Sequence, residues 1–244
     1  MELKEEERID DLQLNNLKII QNPKWFCFGI DSVLLSDFAK EIHKNSKILD
    51  LGTGTGILAI LLSEKVKESK IVGIEVQKEV AEMATRSVGL NNLEDRIEII
   101  NTNVKQITYS EEFNAVVTNP PYKEKDTGLI NENNVKLISR HEINGTLEDF
   151  IKAASKALKD KGSMYMVNRP ERIVDIFEHC RKYKLEPKKL QFVYSKIGGK
   201  PTLILVKATK NANKYLKVEK PLYIYKEDGE YSDEILKIYR KDEK

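Results

Sequence analysis

Long apolar runs are missing from this chain. No stretch approaches the ~18–20 residues that a membrane helix needs, so no membrane span is expected. Cysteine is scarce: Cys27 and Cys180 lie far apart, in apolar-aromatic and helical contexts, which argues against a disulfide scaffold. His43, His141 and His179 share no metal-ligand spacing with them, and neither CxxC nor HExxH occurs, so no metal is expected. With only 12 glycines and seven prolines in 244 residues, collagenous and low-complexity readings are excluded. The opening MELKEEERID is acidic where a secretory signal would be basic and then apolar, so a cytoplasmic protein is expected. What remains is an ordinary globular composition, 40% hydrophobic and 33% charged, long enough for one large domain or two small ones.

The net charge of +2 conceals an asymmetry. Residues 1–120 carry 14 Lys and Arg against 20 Asp and Glu, whereas residues 121–244 carry 27 against 19. A basic half on a near-neutral chain can mark a polyanion partner, because Lys and Arg neutralise phosphates and release their counterions. A solvated Lys-rich surface would give the same balance, so charge alone leaves the partner open.

From about residue 47, short apolar or β-branched runs alternate with amphipathic stretches, the rhythm of βαβ units and a parallel sheet. Strands are expected at Lys47–Leu51, Lys70–Val76, Arg96–Ile100, Asn114–Thr118, Ser163–Val167, Leu190–Tyr194 and Leu203–Lys207. Helices are expected at Ile57–Val66, Lys78–Leu90, Leu147–Leu158 and Glu171–Tyr183. Thr146 with Asp149 forms a capping-box-like start, and Pro170 falls where a first-turn proline is tolerated. The last two strands are separated by only Ser195–Pro201, too short for a helix, and should form an antiparallel hairpin. Before this rhythm, residues 9–30 read as short strands broken at Asn15-Asn16 and Asn22-Pro23. A helix over Asp31–Ile42 follows, with Val33, Leu34, Leu35, Phe38 and Ile42 on one face. Lys123–Gly145 has no strong periodicity and reads as a disordered or functional loop.

Two motifs carry chemistry. Ile48-Leu49-Asp50-Leu51-Gly52-Thr53-Gly54-Thr55-Gly56-Ile57 is a buried strand running through three alternate glycines into a helix, a turn that lets a cofactor lie against bare backbone. A nicotinamide-binding turn would want glycine at position 57, and a P-loop would want Gly-Lys-Ser/Thr; both are absent. Glu75 closes the second strand, where its carboxylate can accept from a ribose's two hydroxyls. The second motif, Asn119-Pro120-Pro121-Tyr122, ends the fourth strand. Its prolines remove backbone donors, leaving the Pro120 carbonyl and the Asn119 side-chain carbonyl as neighbouring acceptors suited to a planar NH₂ group.

The ordered set Asp50-x-Gly52-x-Gly54-x-Gly56, Glu75, Asn103-Val104 and Asn119-Pro120-Pro121-Tyr122 resembles the class I S-adenosylmethionine-dependent methyltransferases, in the subset that methylates exocyclic or amide nitrogens. The likeness covers roughly residues 29 to 209. Phe28-Gly29-Ile30-Asp31-Ser32-Val33-Leu34-Leu35, Ser139-Arg140-His141-Glu142 and Pro221-Leu222-Tyr223-Ile224-Tyr225 narrow it to the bacterial tRNA adenine-N6 methyltransferases that modify valine tRNA next to the anticodon. The resemblance implies a doubly wound, Rossmann-like α/β sheet, mostly parallel with an antiparallel final hairpin. It implies one methyltransferase domain over 1–244, with an N-terminal extension (1–46), a catalytic core (47–209) and a C-terminal extension (210–244).

It further implies that the methionine part of S-adenosylmethionine lies over Gly52, Thr53, Gly54 and Gly56, following Asp50. The ribose would then sit on Glu75, and the adenine between Val76 and Asn103-Val104. Asn103 departs from the family's usual aspartate, but its carbonyl can still accept from the adenine amino group. Gly29 and Asp31 would close over the methionine end, unless Asp31 merely caps the following helix. Asn119 and Pro120 would accept the two N–H groups of adenine N6 and favour a more pyramidal nitrogen, whose lone pair then faces the sulfonium methyl; Pro121 fixes the turn. Most of the rate would come from alignment and preset dipoles. Tyr122 would stack on a target base drawn from its own stack. Lys123, Lys125 and Arg140 after the turn, with Lys196 and Lys200 on the final hairpin, would form a basic rim for tRNA phosphates, joined by Lys136.

Alternative readings share parts of the pattern. Protein glutamine methyltransferases have the same Asn-Pro-Pro-Tyr turn but place a helical substrate domain before the first strand, where this chain has 46 residues. A guanine-N2 or DNA adenine methyltransferase, or a non-catalytic module binding cofactor or RNA, also fits in part. The intact Asn119–Tyr122 turn argues against the last. His179, Cys180 and Trp25 read as packing residues, and Arg181–Lys189 as a solvated face.

Overall fold

Successive residues of a strand point to opposite faces, so a strand buried on both sides reads as a near-continuous apolar run. Lys47–Leu51 (β3) is such a strand: Ile48 packs into one core cluster while Leu49 and Leu51 pack into another across the sheet. Ala115 and Val117 against Val116 divide in the same way, as do Leu203 and Leu205 against Ile204 and Val206. A computed structural model describes residues 3–25, 29–122 and 145–239. Cys27, Lys123, Lys125, Lys136, Arg140 and His141, and with them most of the expected 123–145 loop, lie outside the described residues.

The chain opens with an antiparallel pair, Arg8–Asp11 (β1) and Lys18–Gln21 (β2), turned by Asn15 and Asn16, both left-handed. Helix Ile30–Phe38 (α1) leads into β3, followed by Ile57–Lys65 (α2), Lys70–Glu75 (β4), Lys78–Leu90 (α3), Ile97–Asn101 (β5) and Phe113–Thr118 (β6). Leu147–Ala157 (α4), Leu158–Asn168 (β7), Ile173–Lys182 (α5), Leu185–Tyr194 (β8) and Pro201–Lys210 (β9) complete the core. Lys217–Val218 (β10), Leu222–Tyr223 (β11) and Asp233–Ile238 (α6) follow. The main sheet runs β10-β8-β9-β7-β6-β3-β4-β5, with β11 also on β8. Strands β7, β6, β3, β4 and β5 are mutually parallel; β9 is antiparallel to both β7 and β8. This is the expected doubly wound α/β sheet with an antiparallel final hairpin. Helices α1, α2 and α6 cover one face, and α4 and α5 the other.

Several boundaries differ from expectation. Strand β7 starts at Leu158, five residues early, so α4 passes straight into a strand and its helix stops at Ala157. The hidden part, Lys159-Asp160-Lys161, is exposed and carries no apolar signal. Strand β8 likewise starts at Leu185, and the register shifts between Pro187 and Lys189 because proline has no N–H to give the ladder. The helix expected from Glu171 divides into a 3₁₀ turn, Pro170–Arg172, and α5. The helix expected over Asp31–Ile42 ends at Phe38, with Ile42 still buried beyond it. Thr146 and Asp149 do form a reciprocal capping box on α4. Cys180 is fully buried, and burial pushes its thiol up to about 12, which keeps it unreactive. No helix among the described residues is long and apolar enough to cross a membrane.

Candidate active site

Parallel strands β3, β4 and β6 end together, and everything the sequence singled out on the main sheet gathers at that carboxyl edge. The N–H groups of Gly52 and Thr53 both donate to the Ile74 carbonyl at 2.9 Å, pinning the turn after β3 to the end of β4. Gly54 then adopts φ +56°, and a Cβ built there would meet nothing within 4 Å. The space above its backbone is open to a ligand, and a side chain would fill it. Gly56 (φ +84°) caps α2, with its missing Cβ 3.4 Å from the methyl of Ala84 on α3, so it serves helix packing.

Two carboxylates brace the turn. Asp50 is buried on β3; it accepts from Thr53 Oγ1 at 2.6 Å and from the backbone N–H of Ala59 in α2. Burial, with the nearby charge of Glu75, nonetheless pushes its carboxyl up to about 7. Glu75 accepts from the N–H of Gly54 at 3.1 Å and from that of Gln77 at 2.8 Å. Burial raises its carboxyl above the usual range, partly offset by those N–H groups. Asn101, which the sequence reading passed over, donates its amide to the carbonyls of Glu75 (2.8 Å) and Val76 (3.0 Å) and fixes the rim of β4. Its only sequence signal is an asparagine closing a strand. Asn103 accepts from the N–H of Lys105 at 2.9 Å, and buried Val104 packs 3.1 Å from the place a Cβ on Gly145 would take.

The Asn119–Tyr122 turn adjoins this one because Leu51 pairs with Thr118, whose hydroxyl donates to the Leu51 carbonyl at 2.9 Å. Asn119 donates its Nδ2 to Asp31 Oδ2 at 3.1 Å. The Tyr122 hydroxyl lies 2.8 Å from that same Oδ2 and 2.7 Å from Asn119 Oδ1. Burial and the Asp31 charge drive the Tyr122 phenol far upward, so it stays protonated. Gly29 is the N-cap residue of α1, without a side-chain bond; Asp31 lies in the first turn, where its Oδ1 accepts from the Ser32 N–H while its Oδ2 faces the 119–122 turn. One face of Tyr122 carries the Arg169 guanidinium, 5.0 Å from the ring centroid, and Arg169 also donates to the Thr202 carbonyl at 3.1 Å. Sequence reasoning missed Arg169, which lies just past β7 with nothing local to mark it. Lys196 and Lys200 are exposed on the β8–β9 tip. That tip lies at the same edge of the sheet, since β9 starts where its antiparallel neighbour β7 ends.

Comparison with known proteins agrees with this architecture. Residues 17–186 match the family model described as methyltransferase small domain. The chain is 28% identical over 185 residues to a tRNA1(Val) (adenine(37)-N6)-methyltransferase of Porphyromonas gingivalis, covering 72% of each. It is 28% identical over 192 residues to the protein of that name in Bacteroides thetaiotaomicron, covering 78% of this chain and 80% of that one. Among solved structures it is similar to a predicted O-methyltransferase from Agrobacterium tumefaciens, with a TM-score of 0.71 and 21% identity, over 86% of this chain and 95% of that one. It is also similar in fold to M. jannaschii TYW2 in complex with AdoMet, with a TM-score of 0.61 and 14% identity, over 86% and 88%.

Proposed function

Because the chain belongs to the methyltransferase small domain family, we propose that it moves the methyl group of S-adenosylmethionine to the N6 of an adenosine in tRNA, the one beside the anticodon of valine tRNA. The names of its relatives support that substrate. The observation that carries the reading is the adjacency of the two turns: the open backbone at Gly54 and the acceptors of Asn119 and Pro120 stand on hydrogen-bonded neighbouring strands. The residues fit the cofactor, since the space over Gly54 is one a Cβ would fill and the Glu75 carboxylate closes the same rim, available to diol hydroxyls through its remaining lone pairs. When bound, S-adenosylmethionine supplies an electrophilic methyl.

In this reading Gly52, Thr53, Gly54 and Gly56 receive the methionine portion, Glu75 the ribose, and Val76, Asn103 and Val104 the adenine. Asn119 Oδ1 and the Pro120 carbonyl accept the two N–H groups of the target amine and orient its lone pair. No strong base is required beforehand, because the amine's proton becomes acidic only as the new bond forms. The rate then comes from positioning and fixed dipoles. Lys196 and Lys200, with Lys123, Lys125 and Arg140, contact phosphates, and the work is cytoplasmic. Arg169 on Tyr122 bears on base stacking: a cation–π contact is worth ~0.5–2 kcal/mol against ~1–3 kcal/mol for a stacked base, so an incoming base can displace the guanidinium.

Isotope-labelled S-adenosylmethionine offered with a valine tRNA transcript and, separately, with a glutamine peptide tests this. N6-methyladenosine in the digested tRNA is expected. Label on the peptide alone, or on neither, overturns it.

A further inference from the structure

An asparagine side chain keeps its shape when its amide turns over, yet the two orientations are opposites chemically. With Oδ1 toward the substrate, Asn119 accepts from the amine. Turned over, it would present N–H to N–H. Something beside the residue must break that symmetry, and among the described residues the Asp31 carboxylate, 3.1 Å from Nδ2, can do so. A carboxylate only accepts, so the end of the amide facing it must be the donor end.

We propose that Asp31 is a positioning residue that locks the Asn119 amide with its oxygen toward the substrate and takes over the Tyr122 hydroxyl when the amine arrives. This rests on the reading of Asn119 as the amine acceptor. The Tyr122 hydroxyl has one proton and two acceptors, Asp31 Oδ2 at 2.8 Å and Asn119 Oδ1 at 2.7 Å. It therefore cannot satisfy both. Once a substrate N–H donates to Oδ1, the hydroxyl can give its proton wholly to the carboxylate, and a hydrogen bond to a charged group is the stronger one. Asn119 thus loses nothing to its neighbour at the moment it is needed.

The carboxylate is held for this task. Asp31 is buried on α1, and its Oδ1 accepts from the N–H of Ser32 at 2.9 Å. Gly29 leaves it room: a Cβ at position 29 would stand 3.0 Å from Asp31 Oδ1, closer than the pair tolerates without a shift. One of its oxygens is directed to Ser32 and the other to the Asn119–Tyr122 pair, so the carboxylate is set for this role before substrate arrives.

Asp31→Asn is the isosteric test, since an amide at 31 can donate or accept and so permits either orientation of Asn119. The expected result is a fall in kcat of ~10- to 100-fold, the range for losing a hydrogen bond to a charged group, with tRNA KM and S-adenosylmethionine Kd within about threefold of wild type. Gly29→Ala displaces the carboxylate without changing its chemistry and should lower kcat in the same direction, which keeps the test open if Asp31→Asn does not fold. The side-chain amide resonances of Asn119, identified by their loss in Asn119→Ala, provide a readout in the protein without substrate. In wild type one proton should be shifted downfield and exchange slowly, and Asp31→Asn should abolish both. Unchanged kcat in an active background, a raised cofactor Kd with kcat intact, or wild-type Asn119 resonances like those of a free amide would each overturn the role. Absence of any methyl transfer by wild type would instead overturn the proposed reaction, while the resonances still report on Asp31.

Discussion

Asn119 carries the sharpest consequence at the level of single residues. Removing its side chain with Asn119→Ala takes away a preset acceptor, a loss of the kind that lowers kcat by ~10²–10³-fold. Calorimetry should show cofactor affinity unchanged, since the open backbone at Gly54 belongs to a different turn. Gly54→Val should do the reverse, blocking cofactor while the amine acceptors stand. Asp50 makes a prediction about pH. Its folded carboxyl, at about 7, lies above the ordinary 3.8, so the folded chain binds a proton that the unfolded chain has released between those values. The Asp50 contribution to stability should therefore fall as pH rises from about 4 to 7, by about 4 kcal/mol at most. Urea midpoints measured across that range should fall for wild type relative to Asp50→Asn, because carboxylates held low by cations, such as Glu148 beside Lys182, act in the opposite direction in both. The sequence made the glycines, Glu75 and the Asn119 turn legible because each is local to one strand end. It could not reveal that Asp31 meets Asn119 across 88 positions, or that Arg169 lies on Tyr122, because those pairs meet only once α1 and β7 have docked.

Elements were legible where burial forces a continuous apolar run, as in β3 and β6, and illegible where a strand extends past the core into solvent. The charged beginning of β7, Lys159-Asp160-Lys161, looks like loop because its side chains are exposed, and Glu186-Pro187-Lys188 of β8 looks like loop because it is charged around a proline, yet Glu186 and Pro187 pair with β9. Two-residue strands such as β10 carry no period at all. Helix α4 shows the opposite case: a short polar signature, Thr146 and Asp149, that fixes a boundary. Thr146→Ala removes the hydroxyl half of the capping box, leaving the residue-146 N–H on the Asp149 carboxylate, and should cost ~1 kcal/mol, lowering Tm by ~2–4 °C in a chain of this size. A melting curve by circular dichroism reads it, with kcat at low temperature expected to stay near wild type.

The molecule as a whole presents one working edge, where the β3, β4 and β6 turns and the β8–β9 tip all point the same way. Replacing Lys196 and Lys200 with Ala should reduce the salt slope of tRNA binding by about one unit for each phosphate no longer neutralised, with S-adenosylmethionine affinity unchanged. Filter binding across a potassium chloride series measures it, and an unchanged slope would remove the tip from the RNA surface. The far side of the sheet has a different history. Strands β10 and β11 both lie along β8, which would otherwise be a bare edge. They are also synthesised after it. At the ~5–20 residues per second of translation, the stretch from Lys210 to Tyr223 takes roughly one to three seconds to make. A chain ended within that stretch would leave β8 with an open ladder of backbone donors and acceptors. Such a truncated chain would keep both the Gly52–Gly56 and Asn119–Tyr122 turns, and its hazard would be edge-to-edge aggregation.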